Sequence, residues 1–162
     1  MILNKLTLED QALLTCIICG LILSMGLFLE HLISLEPCPL CLVQRFWFLL
    51  CGVLAYTSLM HNPRYGIYPL LTICAALVGA CYAIWHILLQ FNISQAMSCS
   101  PPMEYLTSST DQLLKVLWDT FKGNVGCNTR YWLIPIPAWA LAGFLLIAGN
   151  AATQLKRIAV TT

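Results

Sequence analysis

Two cysteines stand with two residues between them in Glu36-Pro37-Cys38-Pro39-Leu40-Cys41-Leu42-Val43-Gln44-Arg45, between one long apolar run and the next. A C-x-x-C can close a local disulfide, and its setting can stabilise one of the two thiolates for exchange. The prolines at 37 and 39 oppose regular helix and leave Cys38 exposed. Cys41 falls where the second apolar run begins. A helix N-terminus favours negative charge, so Cys41 is the better candidate for a stabilised thiolate. Arg45 follows one helical turn later on the same face. A charge at that depth of a membrane span costs free energy unless it is paired or hydrated. Two accounts fit: the side chain snorkels to the head groups, or it holds a polar group near Cys41, such as a carbonyl of a lipid-soluble acceptor.

The chain has nine cysteines. Cys16, Cys19, Cys51, Cys74 and Cys81 lie inside apolar runs and read as packing residues, since free cysteine behaves as a small hydrophobe. Cys16-Ile17-Ile18-Cys19 shows that the C-x-x-C spacing alone says little. Cys99 and Cys127 lie in polar, turn-rich sequence. They suit either a structural disulfide or a second exchangeable one presented to a soluble partner. Two thiol pairs at one membrane surface suggest a relay, because thiolates attack disulfides and pass two electrons at each exchange. Electrons arriving at the bilayer then need a lipid-soluble two-electron acceptor, which a quinone is. Zinc at Cys38, Cys41, Cys99 and Cys127 is disfavoured, because the last two lack paired C-x-x-C spacing; no metal site is expected. His86, late in the third apolar run, reads first as a hydrogen-bonded structural histidine. His31 reads as interfacial.

The elements that must position these groups are membrane spans. Of 162 residues, 59% are hydrophobic and 9% charged, far below the roughly 25% charge of soluble domains. A bilayer core needs about 20 helical residues per crossing. The apolar runs predict spans over about 11–30, 42–60, 66–90 and 136–155. The fold class is therefore an all-α membrane protein, a four-transmembrane-helix bundle in one integral membrane domain. The first run is longer than a signal-peptide core and no small-residue cleavage site follows it, so it reads as a retained span. Four spans put both termini on one side. The lysines and arginines nearest the span ends favour a cytoplasmic location for that side. All four polar-loop cysteines then face a compartment where disulfides persist. Within the second outer loop, Leu113, Leu114, Leu117, Trp118 and Phe121 recur at helical spacing, predicting a short amphipathic helix at 109–122 that lies on the membrane surface or caps the bundle. The absence of a basic stripe or tail argues against nucleic acid.

These features together resemble the DsbB family of bacterial inner-membrane disulfide-forming proteins. The match runs over nearly the whole chain: four spans, two outer loops, P-C-x-x-C heading the second span with an arginine four residues on, a cysteine pair in the second loop, and Pro137-Ala138-Trp139 opening the last span. The resemblance implies a bacterial inner-membrane location with periplasmic redox loops. It implies that Cys99, paired with Cys127, is attacked by a reduced DsbA-type thioredoxin-fold oxidant. Cys127 would exchange with Cys38, and Cys41 would meet ubiquinone or menaquinone, which hands electrons to the respiratory chain. Arg45 would help hold the quinone, and His86 matches a position near it. The family's best-studied member carries an acid before this arginine, where this chain has Gln44.

Two rival functions fit the same residues. One is a quinone or epoxide reductase of the vitamin-K type, distinguished by its physiological acceptor. The other is a non-enzymatic membrane protein using the cysteines as metal ligands or staples.

Overall fold

A computed structural model describes residues 7–33, 39–92 and 136–161. The amphipathic helix expected at 109–122 lies outside them. The described residues form helices α1 (Leu8–Ile33), α2 (Pro39–His61), α3 (Ile67–Asn92) and α4 (Ile136–Thr161), with no strand among them. All four are long and apolar enough to cross a membrane, with spanning stretches of 22 to 24 residues. At 1.5 Å per residue these rise roughly 33–36 Å, enough for a hydrocarbon core about 30 Å thick. The protein is a multi-pass, all-α membrane bundle.

The helix ends follow local chemistry rather than the limits of the apolar runs. α1 starts at Leu8, ahead of Gln11, because Thr7 and Asp10 form a reciprocal cap. The Thr7 amide donates to Asp10 Oδ2 at 2.9 Å, and the Asp10 amide donates to Thr7 Oγ1 at 3.2 Å. Two otherwise orphaned donors are thus satisfied. Pro39 does not hold the chain out of helix as its type suggests; it is the first residue of α2. That position needs no N–H and accepts proline's fixed φ. Between α2 and α3, Asn62 Oδ1 accepts from the Arg64 amide at 2.9 Å and the Asn62 carbonyl from the Tyr65 amide at 3.2 Å, an asparagine-led turn. α4 continues past Lys156-Arg157 to Thr161, since charged residues are good helix formers at a helix end.

α1, α2, α3 and α4 each pack on the next, and α4 closes the ring on α1. The centre is a diagonal pair. The rings of Phe48 on α2 and Phe144 on α4 stack with centroids 3.8 Å apart and planes 8° from parallel. α3 offers them a face of small residues: Ala75, Ala76, Gly79, Ala80 and Ala83 are all buried. A Cβ at Gly79 would collide with the Phe144 ring. This is how membrane helices associate: lipid is as apolar as leucine, so close backbone approach and dispersion must do what the hydrophobic effect does in water. The same reason puts large apolar side chains such as Leu21, Phe28, Leu77 and Leu146 outside, while Gln11, Thr15, Gln44, Thr72, His86, Asn150 and Gln154 are inside.

The apolar-run cysteines divide. Cys19 and Cys51 are buried, Cys16 is half-buried, and Cys74 and Cys81 face outward. The packing expectation therefore holds for Cys19 and Cys51 and fails for Cys74 and Cys81. In a lipid-facing position a thiol is one more apolar surface.

Candidate functional site

Cys41 is the third residue of α2 and half-buried. It therefore stands in the first turn, where backbone N–H groups lack intrahelical acceptors and the helix dipole is positive. Leu40, next to it, is fully buried, which anchors the turn in the bundle. Gln44 and Arg45 follow one turn deeper, and Phe48 one turn deeper again closes the inner side with its stack on Phe144.

Arg45 does not simply run along its own helix. A Cβ built on Gly26 of α1 would lie 3.1 Å from Arg45 Nε, 3.2 Å from Nη2 and 3.3 Å from Cζ. The guanidinium therefore crosses the α1–α2 seam and lies against α1 where that helix has no side chain. Gly26 is three residues inside the C-terminal end of the α1 spanning stretch, which ends at Leu29.

Gln44 and His86 are 4% and 2% exposed and meet across the α2–α3 interface, Gln44 Nε2 to His86 Nδ1 at 3.4 Å. Two long polar side chains inside a membrane bundle need such partners, because each unsatisfied group costs free energy there. His86 is thus hydrogen-bonded, in accord with its first reading. Through Gln44 it also reaches the α2 turns that carry Cys41 and Arg45. His31 is exposed near the end of α1.

Three of the six residues singled out by sequence therefore gather at the head of α2: Cys41 and Arg45 on the helix itself, His86 through Gln44. The other three, Cys38, Cys99 and Cys127, lie outside the described residues. Two members were not assigned to the site beforehand, although Gln44 stood out as a departure from the family's acid before the arginine. Gln44 had a legible signal, since a glutamine in the first turns of a span must be hydrogen-bonded. Gly26 had none, because a glycine in an apolar run does not say which neighbour it admits.

The four apolar helices define a multi-pass membrane protein, and one end of its bundle carries a half-buried thiol, a guanidinium one turn on and a buried amide–imidazole pair. Residues 9–154 match the family described as disulfide bond formation protein DsbB, and the chain belongs to that family. Its relatives include a disulfide bond formation protein B of Marinobacter nauticus, 33% identical over 152 residues covering 89% of this chain and 90% of the relative. Another, from Methylobacillus flagellatus, is 36% identical over 131 residues, covering 76% and 78%. Disulfide bond formation protein B 1 of Pseudomonas aeruginosa is 30% identical over 152 residues, covering 90% and 93%. No solved structure matches the chain. Membership carries an oxidoreductase role in disulfide bond formation.

Proposed function

We propose that this protein is a quinone-dependent thiol oxidase that reoxidises a DsbA-type thioredoxin-fold oxidant in the bacterial periplasm. Cys99 and Cys127 receive electrons from that partner and pass them to Cys38 and Cys41. The observation that carries the reading is Cys41 in the first turn of α2 with the Arg45 guanidinium one turn on, held against Gly26. The chain lies in the inner membrane with both termini cytoplasmic, which the lysine and arginine distribution supports.

The partner's thiolate attacks the Cys99–Cys127 disulfide. A new disulfide forms in the partner, and the loop pair is left as two thiols. Cys127 then attacks Cys38 of the Cys38–Cys41 disulfide, forming a Cys127–Cys38 mixed disulfide and releasing Cys41 as thiolate; attack by Cys99 on Cys127 re-forms the loop disulfide and releases the Cys38 thiol. Each completed exchange moves two electrons; in the second, one proton stays with Cys38 and the other is released, since Cys41 is left as thiolate. The N-terminal turn of α2 stabilises the Cys41 charge.

The residues present suit a quinone. A planar acceptor with two carbonyls needs donors in an otherwise apolar slot. Arg45 brings a fork of N–H donors and His86 a ring nitrogen. Bound there, ubiquinone or menaquinone supplies the two-electron, two-proton sink that restores the Cys38–Cys41 disulfide. Arg45 and His86 would hold it.

Cys41→Ser in the purified full-length chain, supplied with a reduced thioredoxin-fold partner and ubiquinone, is expected to abolish quinone reduction. Undiminished reduction overturns the assignment.

A further inference from the structure

Tryptophan has an apolar body and one polar N–H, so exposed tryptophans on membrane helices gather where hydrocarbon meets head groups. The described residues hold three. Trp47 is half-buried on α2, whereas Trp85 of α3 is 47% exposed and Trp139 of α4 is 67% exposed. Neither exposed ring is needed in the core. Ala83 and His86 on α3 and Pro137 on α4 are the buried residues beside them.

The packing places both tryptophans against Cys41. Successive spans run in opposite directions, so α2 and α4 are parallel. The stacked rings of Phe48 and Phe144 set these two helices level. Trp139 is five residues before Phe144, and Val43 is five residues before Phe48. Trp139 therefore stands at the depth of Val43, about 3 Å along the axis from Cys41. On α3, Trp85 precedes His86, whose side chain meets that of Gln44 at 3.4 Å. That contact sets the register of α3 on α2 whichever way the amide is turned. Trp85 thus lies within about one turn of the Cys41 level. Two exposed indoles on neighbouring helices mark one plane, and the Cys41 turn lies in it.

We infer that Trp85 and Trp139 are positioning residues that anchor the Cys41 turn at the membrane interface. A thiol at that depth meets water-borne thiols on one side and the lipid phase on the other. The placement stands by itself. Its purpose rests on the quinone-oxidase reading, in which Cys41 must exchange with Cys38 and still meet an acceptor dissolved in lipid. Anchored rings also hold that depth when the bilayer does not match the bundle. The lipid around them thins or thickens, and the thiol stays where it is. Without them the bundle shifts or tilts instead, and a thicker bilayer covers Cys41.

The test uses the reduced full-length chain in vesicles of dimyristoleoyl, dioleoyl or dierucoyl phosphatidylcholine, which rise in thickness in that order. A water-soluble maleimide is added, and fragmentation mass spectrometry reads the labelling rate of Cys41 apart from that of Cys38. The wild-type rate is expected to vary by less than about twofold across the series, because the lipid adjusts to the rings. With Trp85→Leu and Trp139→Leu together, the side chains stay apolar and lose their interfacial preference. The rate is then expected to fall about threefold to fivefold from the thinnest bilayer to the thickest, the scale of a few ångströms of mismatch. Trp85→Tyr with Trp139→Tyr is expected to restore the wild-type profile, since tyrosine also seeks the interface. A merely structural role would lower the melting temperature and leave the dependence on thickness unchanged. A leucine variant with the wild-type profile overturns the proposal, as does a tyrosine variant that behaves like the leucine one. If the double leucine variant does not assemble, Trp139→Leu alone, at the more exposed position, is expected to show the same trend with a smaller slope, and a flat profile there overturns the proposal equally. Labelling is read without quinone. A wild-type chain that reduces no quinone would count against the oxidase reading, while the labelling still decides the role of the tryptophans.

Discussion

Arg45 is placed by a residue that does no chemistry. With a Cβ at Gly26, the atoms Nε, Nη2 and Cζ of Arg45 would be met at 3.1 to 3.3 Å, closer than comfortable contact. The guanidinium is the mobile end of a long side chain, so it is the partner that yields. Gly26→Ala is therefore expected to raise the KM for quinone roughly threefold to tenfold, the effect of a weakened charge-assisted hydrogen bond. The fold should not suffer, since alanine is favoured over glycine inside a helix by about 0.5–1 kcal/mol. Steady-state kinetics beside a thermal melt separates the two effects; a lower melting point with unchanged KM would contradict this placement. Arg45→Lys is expected to lie between wild type and Arg45→Met in KM, because it keeps the charge and loses the planar fork.

At the scale of elements, α3 is defined by what it lacks. Its buried small residues let α2 and α4 bring Phe48 and Phe144 into contact at the centre. Gly79→Leu would drive a side chain into the Phe144 ring and is expected to prevent stable assembly. Gly149→Ala, whose Cβ would meet nothing within 4 Å, should be neutral or slightly stabilising. Phe144→Ala is expected to cost about 3 kcal/mol, the low end of the range for buried phenylalanine, because lipid lowers the transfer cost and leaves mainly the cavity. Unfolding in mixed micelles by added SDS measures all three. The helices themselves were legible as long apolar runs, but their ends were not. The start of α1 at Leu8 was written in Thr7 and Asp10, a capping pattern outside the apolar run. The start of α2 at Pro39 reversed the usual reading of proline, because the first position of a helix is the one place that needs no N–H.

The whole molecule has two ends of different chemical make-up. At the end opposite Cys41, Asn150 of α4 donates from Nδ2 to the Gln11 carbonyl at 2.7 Å and to Thr15 Oγ1 at 2.9 Å. Gln11 Nε2 donates to Thr153 Oγ1 at 3.3 Å, and Gln154 Nε2 to the Leu8 carbonyl at 3.3 Å. These bonds tie α1 to α4 and close the ring where dispersion alone gives little specificity. Asn150→Leu is expected to lower stability by about 1–2 kcal/mol, the scale of two interhelical hydrogen bonds in a membrane. The KM for quinone should stay at its wild-type value, because the clamp and the thiol end are separate. A large change in KM from this variant would mean that the ends are coupled.

What the sequence determined by itself was whatever depends on neighbours along the chain. Apolar length set the number of spans, and the four-residue interval from Cys41 to Arg45 put both on one face, because helix geometry is local. It also brought the family resemblance within reach, since the P-C-x-x-C motif and its arginine are contiguous. What only the tertiary structure decided was whatever depends on which faces meet. Gly26 under the guanidinium, Gln44 on His86, Gly79 beneath Phe144 and Asn150 on α1 each join residues far apart in the chain. In a membrane no hydrophobic pattern announces them, because lipid accepts the same side chains that a core would. The inner faces are chosen by small residues and hydrogen bonds instead, and those read the same in sequence whichever neighbour they turn out to fit.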